Sequence, residues 1–338
     1  MKKNLSKLVL ISIVFLAGFS IRHIRSLWEP TRAFLLRSQE LYTNQWPTKA
    51  VVFTTVSKVD SKEQKNYFIK STNTKPTPLL VSLHHWNGTY KTIDSMAYFA
   101  AEADINYLRP NARGENNNPD ACCSDLVMED ITEAIEFALN NGNVDQNEIY
   151  LVGVSGGGYT ALCYYLKTAY NIKKVSVWAS ITDLNAWYRE SKIRKAHFVE
   201  DLLNCVGATQ DSQNLNILLE KRSPLYWEMS ASNLKDTKLS IYAGVYDGVT
   251  GSVPFSHSIN FYNKLSEHIG AVEDSIFVTN DERLYLYEGL WTNKNPFKTI
   301  QDRKVFLHKE YRTVELTLFE GGHEILYDHA FNELLPNQ

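Results

Sequence analysis

Three side chains far apart along the chain could together turn a hydroxyl into a nucleophile. Ser155 stands in Gly153-Val154-Ser155-Gly156-Gly157, after the apolar run Glu148–Val154 and directly before helix-forming residues. Asp247 follows the apolar stretch Leu239–Tyr246, and His323 follows Glu315–Gly322. A serine hydroxyl is a weak nucleophile at neutral pH; it needs a base, and the base needs a carboxylate to orient it. The spacing around Ser155 predicts a strand, a sharp turn with the serine at its apex, and a helix. Such a turn strains the serine backbone, so its neighbours two residues away must be small. Gly153 and Gly157 meet that demand, and Gly156 and Gly158 add room. The turn also aims the N–H of Gly156 at the point where negative charge would develop on an attacked carbonyl oxygen.

Those residues need elements that present them together. Lys49–Val59 and Asn66–Ser71 alternate as an antiparallel pair does, and Thr77–Leu83 is a compact apolar run that reads as a buried strand. Helical spacing covers Asp94–Ala103, and a short strand follows at Ile105–Leu108. Asp125–Asn140 is amphipathic and ends before Gly142. A helix from Ser155 to about Tyr170 leads to a strand at Val175–Ala179. Residues 182–236 break this rhythm and read as a helical insertion over the top of the sheet. Leu239–Val245 is a strand, Ser256–His268 a helix, and Thr313–Phe319 a last strand before a C-terminal helix. Residues 270–312 are polar and read as irregular. Alternation of this kind gives an α/β fold, a mostly parallel sheet flanked by helices, with ligands at the carboxyl ends of the strands. Ser155, Asp247 and His323 all fall at such ends.

Other residues are candidates for the same site. The loop after Leu83 reads His84-His85-Trp86-Asn87-Gly88. It is the expected source of a second oxyanion donor, the N–H of Trp86 or else of His85, and the Trp86 ring could flank a substrate. His84 is expected to support the loop. Asp183, after another strand end, is a lesser candidate for the carboxylate and a better one for a helix cap. Glu324, Asp328 and His329 are expected to face solvent, and His257 to be surface or packed.

The 338 residues, 44% hydrophobic, suffice for a large core. A net charge of −3 with both signs interspersed leaves no basic stripe for nucleic acid. Lys2, Lys3 and Lys7 precede an apolar stretch from Leu8 to Phe19 and the small residues Ala17, Gly18 and Ser20. That describes a signal peptide over residues 1–22, with an uncleaved membrane anchor over residues 8–20 as the alternative. Residues 23–338 then form a single domain outside the cytoplasm, secreted or periplasmic. Four cysteines suit that location. Cys163 reads as a buried filler. A bridge from Cys122 or Cys123 to Cys205 would tie the insertion to the body, with Cys122 the partner taken forward. No cysteine–histidine spacing fits zinc, and no metal or organic cofactor is implied.

With these strand ends in place, the chain resembles the α/β-hydrolase fold. More narrowly, Gly244–Ser258, Arg222-Ser223-Pro224 and Glu320-Gly321-Gly322-His323 resemble the catalytic domain of prolyl oligopeptidase-like hydrolases, over roughly residues 75–335. The resemblance implies Ser155 as nucleophile, Asp247 as orienter and His323 as base. Two departures stand out: too few residues precede Val81 for the gating propeller of such oligopeptidases, and the interval from Asp247 to His323 holds an extra polar segment. Small propeller-less secreted members are often esterases. The expectation is therefore a secreted serine esterase of that type, a carbohydrate esterase acting on acetyl or methyl esters of polysaccharide or oligosaccharide. Trp187, Tyr188, Tyr226 and Trp227 of the insertion would stack on sugar rings. The alternatives are a serine peptidase acting on short peptides and a non-catalytic binding protein on the same scaffold.

Overall fold

In a computed structural model of the chain, residues 45–229, 234, 236–290 and 298–336 are described. The chain divides into two compact units, Met1–Trp46 and Pro47–Gln338. The expected signal peptide over residues 1–22 lies outside the described residues. Among the described residues no helix is long and apolar enough to cross a membrane.

The second unit carries one ten-stranded sheet in the order β1-β2-β4-β3-β5-β6-β7-β10-β9-β8. β3 (Thr77–Leu83), β4 (Asn106–Arg109), β5 (Val144–Val154), β6 (Lys174–Trp178), β7 (Lys238–Gly244) and β10 (Val314–Phe319) form its parallel centre. β1 (Val51–Val56) and β2 (Glu63–Ile69) are an antiparallel pair at one edge. The mostly parallel α/β architecture is the one the sequence pattern predicts. Every residue of β3 is buried, as a strand covered on both faces requires. The chain leaves β3 toward β4, then returns to the other side of β3 as β5. The sheet therefore has its switch point between β3 and β5, where the connections diverge and leave a crevice.

The stretch 270–312 departs from its irregular reading. It contains a helix, Asn280–Tyr287, and two strands, β8 (Lys298–Ile300) and β9 (Arg303–Tyr311), which extend the sheet beyond β10 in antiparallel register. β9 is only partly buried and alternates imperfectly, so its period-2 signal is weak.

Helices on the two faces begin where the sequence supplies caps. Asp94 accepts from the Met96 N–H to start α1 (Ser95–Glu102), and Ser124 accepts from the Val127 N–H to start α2 (Asp125–Asn141). α3 (Gly156–Lys167) differs: Ser155 occupies its N-cap position, yet the hydroxyl makes no capping bond. Between β6 and β7 the insertion forms α4 (Leu184–Ile193), α5 (Phe198–Val206) and α6 (Leu215–Lys221).

One buried ion cluster ties the segment between β4 and α2 to the body. The Arg113 guanidinium donates to both carboxylate oxygens of Asp130, and to Asp60 at 2.7 and 3.0 Å. Arg113 and Asp130 side chains are 3% and 1% exposed, so neither charge has water to fall back on. Removing one partner of such a pair leaves the other charge buried alone, at a cost of about 3–5 kcal/mol. Arg113→Met is therefore expected to lower the free energy of urea unfolding by about that amount. A loss under about 1 kcal/mol, the range of an exposed pair, would show that the cluster is solvated.

Candidate active site

The site is built at the switch point of the sheet. β5 delivers Ser155, whose backbone sits at φ 58°, ψ −122°, outside the regions an L-residue favours. Neighbouring backbone holds it there: the Ser155 N–H donates to the Trp178 carbonyl at 2.8 Å, and the Ser155 carbonyl accepts from the Tyr159 N–H at 2.9 Å. Close packing explains the glycines. A Cβ on Gly153 would collide with the Gly157 backbone, and one on Gly157 with the Leu83 carbonyl of β3. Strand, turn and helix can meet this tightly only without side chains there.

β3 delivers the other side of the crevice. A Cβ on Gly156 would strike the Trp86 backbone nitrogen, so the backbones of Gly156 and Trp86 are in close contact. The Gly156 N–H opens α3 and has no partner within the helix. Beneath them His84 is buried, with Nε2 2.7 Å from the Asn111 carbonyl and Nδ1 3.0 Å from that of His85. Burial, then Arg109, pushes its pKa down to about 4, so the ring is neutral at pH 7 and its single N–H suits the shorter contact. Partial burial, and next Arg109, lower the pKa of His85 too.

β7 and β10 deliver the remaining pair. The ring Nδ1 of His323 lies 2.7 Å from Asp247 Oδ2. Asp247 is 2% exposed, and its Oδ1 accepts the N–H groups of Gly248 and Val253 at 2.9 and 3.1 Å. An ionised carboxylate only accepts, so Nδ1 of His323 carries the proton and Nε2 has a lone pair free. Gly251 covers the pair: a Cβ there would overlap both Asp247 Oδ1 and the His323 Cβ. The covering loop is gripped from the insertion. Arg194 donates to the carbonyls of Gly248 and Ser252 at 3.1 and 2.8 Å, and Trp187 Nε1 to that of Ser252 at 2.8 Å.

The other candidates are structural. Asp183 caps α4, accepting from the N–H groups of Asn185 and Ala186, and also accepts the Tyr226 hydroxyl. His257 is 2% exposed; its Nδ1 accepts from the Thr182 N–H and its Nε2 faces Glu190 at 3.1 Å. Glu324 and His329 do not simply face solvent: Glu324 accepts from the Gly322 N–H and from Arg303, and His329 packs edge-on against Trp178 and Tyr242. The Trp86 ring is buried against Trp187 and Tyr159 and flanks no open surface. Cys122 and Cys205 are joined as a disulfide, and Cys123 and Cys163 are buried thiols. Among the described residues, His308, Glu310 and Glu315 bring metal-binding atoms together, but at the amino end of β10, opposite the end that carries His323. Sequence reasoning missed Arg194 and Asp201; both lie in the insertion, where each reads as an ordinary surface charge.

A strand-turn-helix serine after β5 and an Asp–His pair at the ends of β7 and β10, on this sheet, are those of an α/β-hydrolase-like catalytic domain. The model of the prolyl oligopeptidase family, a peptidase family, matches residues 91–281, more than half of the 338. The chain belongs to that family. No curated protein matches the sequence. Among solved structures, the acylaminoacyl peptidase of Pyrococcus horikoshii superposes with a TM-score of 0.52 at 18% identity, over 65% of this chain and 35% of that one. A puromycin-hydrolyzing peptidase of Mycobacterium tuberculosis gives 0.53 at 15%, over 84% and 38%. Oligopeptidase B of Leishmania major gives 0.51 at 12%, over 84% and 35%. The chain thus spans well under half the length of each, and at these identities the likeness is one of fold.

The family match overturns the expectation of an esterase-type member. The carbohydrate esterase and its glycan ester substrate fall with it, because the matching family is one of peptidases. The sugar-stacking argument fails on packing as well. Trp187 is fully buried and Tyr188 is 7% exposed; Tyr226 is half exposed but its hydroxyl is tied to Asp183, and Trp227 donates to the Lys221 carbonyl under the Lys167 ammonium.

Two outcomes are expected. Gly156→Ala must push the Trp86 loop aside, so turnover of an activated ester should drop on the order of 100-fold with little change in KM, as when one oxyanion donor is lost. Unchanged turnover would separate these N–H groups from the chemistry. His84 binds its proton in the unfolded chain below its ordinary value of 6.5 but in the folded chain only near 4. Stability present above pH 6.5 is therefore lost as pH falls toward 4, by about 3 kcal/mol in all. Urea unfolding across that range should show this slope in the wild type and a flatter one in His84→Gln.

Proposed function

We propose that this protein is a serine peptidase of the prolyl oligopeptidase type, cleaving peptides through an acyl-enzyme. The observation that carries the reading is the family match over residues 91–281. In this reading Ser155 Oγ attacks the peptide carbonyl and His323 Nε2 takes its proton. Asp247 holds the imidazole in the tautomer that leaves Nε2 free and stabilises the cation that forms. The N–H groups of Gly156 and Trp86 receive the oxyanion. The protonated His323 then gives its proton to the leaving amine, which departs poorly as an anion. Water repeats the sequence to release the acid.

Geometry supports the Asp247–His323 part of this relay. Neighbouring strands stand about 4.8 Å apart, and β6 and β7 lie between β5 and β10. A histidine from β10 must therefore lean back over the end of β7 to serve a nucleophile on β5, and Asp247 at that end engages the ring. Export is supported by the basic flank at Lys2, Lys3 and Lys7, by the apolar stretch that follows, and by the paired Cys122 and Cys205. We infer that residues 1–22 serve as the export signal and the remainder as a secreted or periplasmic hydrolase domain.

Assays on peptidyl p-nitroanilides, with free and with blocked amino termini, test the assignment against p-nitrophenyl acetate. Peptide cleavage is expected, with stoichiometric labelling of Ser155 by a fluorophosphonate. Ser155→Ala should abolish both. Asp247→Asn should keep the fold and lower kcat about 10⁴-fold, because the amide favours the wrong imidazole tautomer. Ester hydrolysis without cleavage of any peptide would refute the peptidase reading.

A further inference from the structure

We infer that Asp201 is a positioning residue for the oxyanion hole, and that the Cys122–Cys205 disulfide holds its helix in place. The inference rests on the serine-hydrolase reading of the site, not on the choice between peptide and ester.

The backbone nitrogen of Trp86 lies against Gly156 while the Trp86 side chain is buried. A loop N–H is only as well aimed as the residue that bears it, and misplacement by about 1 Å can cost 100-fold in rate. Asp201 Oδ2 accepts from Trp86 Nε1 at 3.2 Å and, more weakly, from the Asn87 side-chain amide at 3.4 Å. One carboxylate oxygen thus ties two successive residues of the oxyanion loop to the insertion. The Trp187 ring meets the Trp86 ring edge-on at 4.8 Å, so the indole is fixed by packing as well as by its N–H.

Asp201 and Cys205 lie four residues apart on α5, hence on one face of the helix. That face meets the loop from two directions. Asp201 reaches Trp86 directly. Cys205 is bonded to Cys122, whose N–H donates to Asn116 Oδ1 at 3.0 Å. The Asn116 N–H in turn donates to the Trp86 carbonyl at 2.9 Å. The path from Trp86 through Asp201, Cys205, Cys122 and Asn116 returns to Trp86. It closes a ring with the oxyanion residue as one member and the disulfide as its covalent link. Arg222 grips the same loop, donating to the carbonyls of Pro119, Ala121 and Cys122 at 2.9 to 3.3 Å.

Hydrolysis of p-nitrophenyl acetate by Asp201→Ala, Asp201→Asn and Cys122→Ala/Cys205→Ala tests the assignment. Asp201→Ala should lower kcat about tenfold with KM within twofold, while Asp201→Asn, which keeps an acceptor oxygen, recovers most of the rate. Fluorophosphonate labelling of Ser155 should reach the same endpoint in all variants but more slowly in Asp201→Ala. The double cysteine variant should lose a comparable factor in kcat, and adding Asp201→Ala to it should cost little more, since both act through one contact. If that variant does not fold, the Ala–Asn comparison at Asp201 decides alone. An Asp201→Ala enzyme with wild-type kcat, or equal losses in Ala and Asn variants, overturns the inference. Wild-type protein that neither labels nor hydrolyses the ester would instead remove the serine-hydrolase reading beneath it.

Discussion

The backbone of Ser155 is the constraint on which the molecule turns. A serine at φ 58°, ψ −122° costs about 1–3 kcal/mol relative to a relaxed residue, and it persists because strand and helix on either side leave no other path. Its amide is committed to β6 through Trp178 and its carbonyl to α3 through Tyr159. The same geometry turns the hydroxyl away from the helix cap that a serine in that position ordinarily makes, so a good capping residue is left with its oxygen unspent. Gly153 and Gly157 are consequences of that choice. Without them β3, β5 and α3 could not approach closely enough to bring Trp86 beside Gly156.

Around this turn the fold supplies two rigid frames from different sources. The sheet supplies one: Asp247 is locked by two backbone amides and His323 is locked by Asp247, at the ends of adjacent parallel strands. The segment between β4 and α2 supplies the other. It runs through several residues with positive φ, among them Ala112, Arg113, Cys122 and Cys123. Such a path is stable only when tied down, and Arg113, Asn116 and the disulfide are the ties. The insertion closes over both frames, holding the loop after Asp247 through Arg194 and the loop after β3 through Asp201. Trp187 and Tyr188 of the insertion are spent on this packing, which is why residues that read as a substrate surface in sequence are core in three dimensions.

Much of this was legible in the residues. β3 and the helix Ser256–His268 begin and end where periodicity and flanking residues predict, because continuous apolar runs and amphipathic stripes are local signals. The resemblance of Gly244–Ser258 to prolyl oligopeptidase-like hydrolases named the family that the match over 91–281 establishes. The step from family to esterase did not hold. It drew on what seemed missing before β3 and on exposed aromatics, neither of which is a property of the reacting residues. β8 and β9 escaped because an edge hairpin that is only half-buried has no continuous apolar run and no strict alternation.

The sequence by itself determined the alternation of elements, the strand-end placement of Ser155, Asp247 and His323, and the glycines that a strained turn demands. These are encoded within a few residues of where they act, through hydrophobic period and steric freedom. Only the tertiary structure decided which strands are neighbours, that Trp86 abuts Gly156, and that Asp201 reaches the loop after β3 from 115 residues away. Contacts between remote segments depend on strand order and on side chains whose types, an aspartate or an arginine on a helix, are the same whether they face water or hold a distant loop.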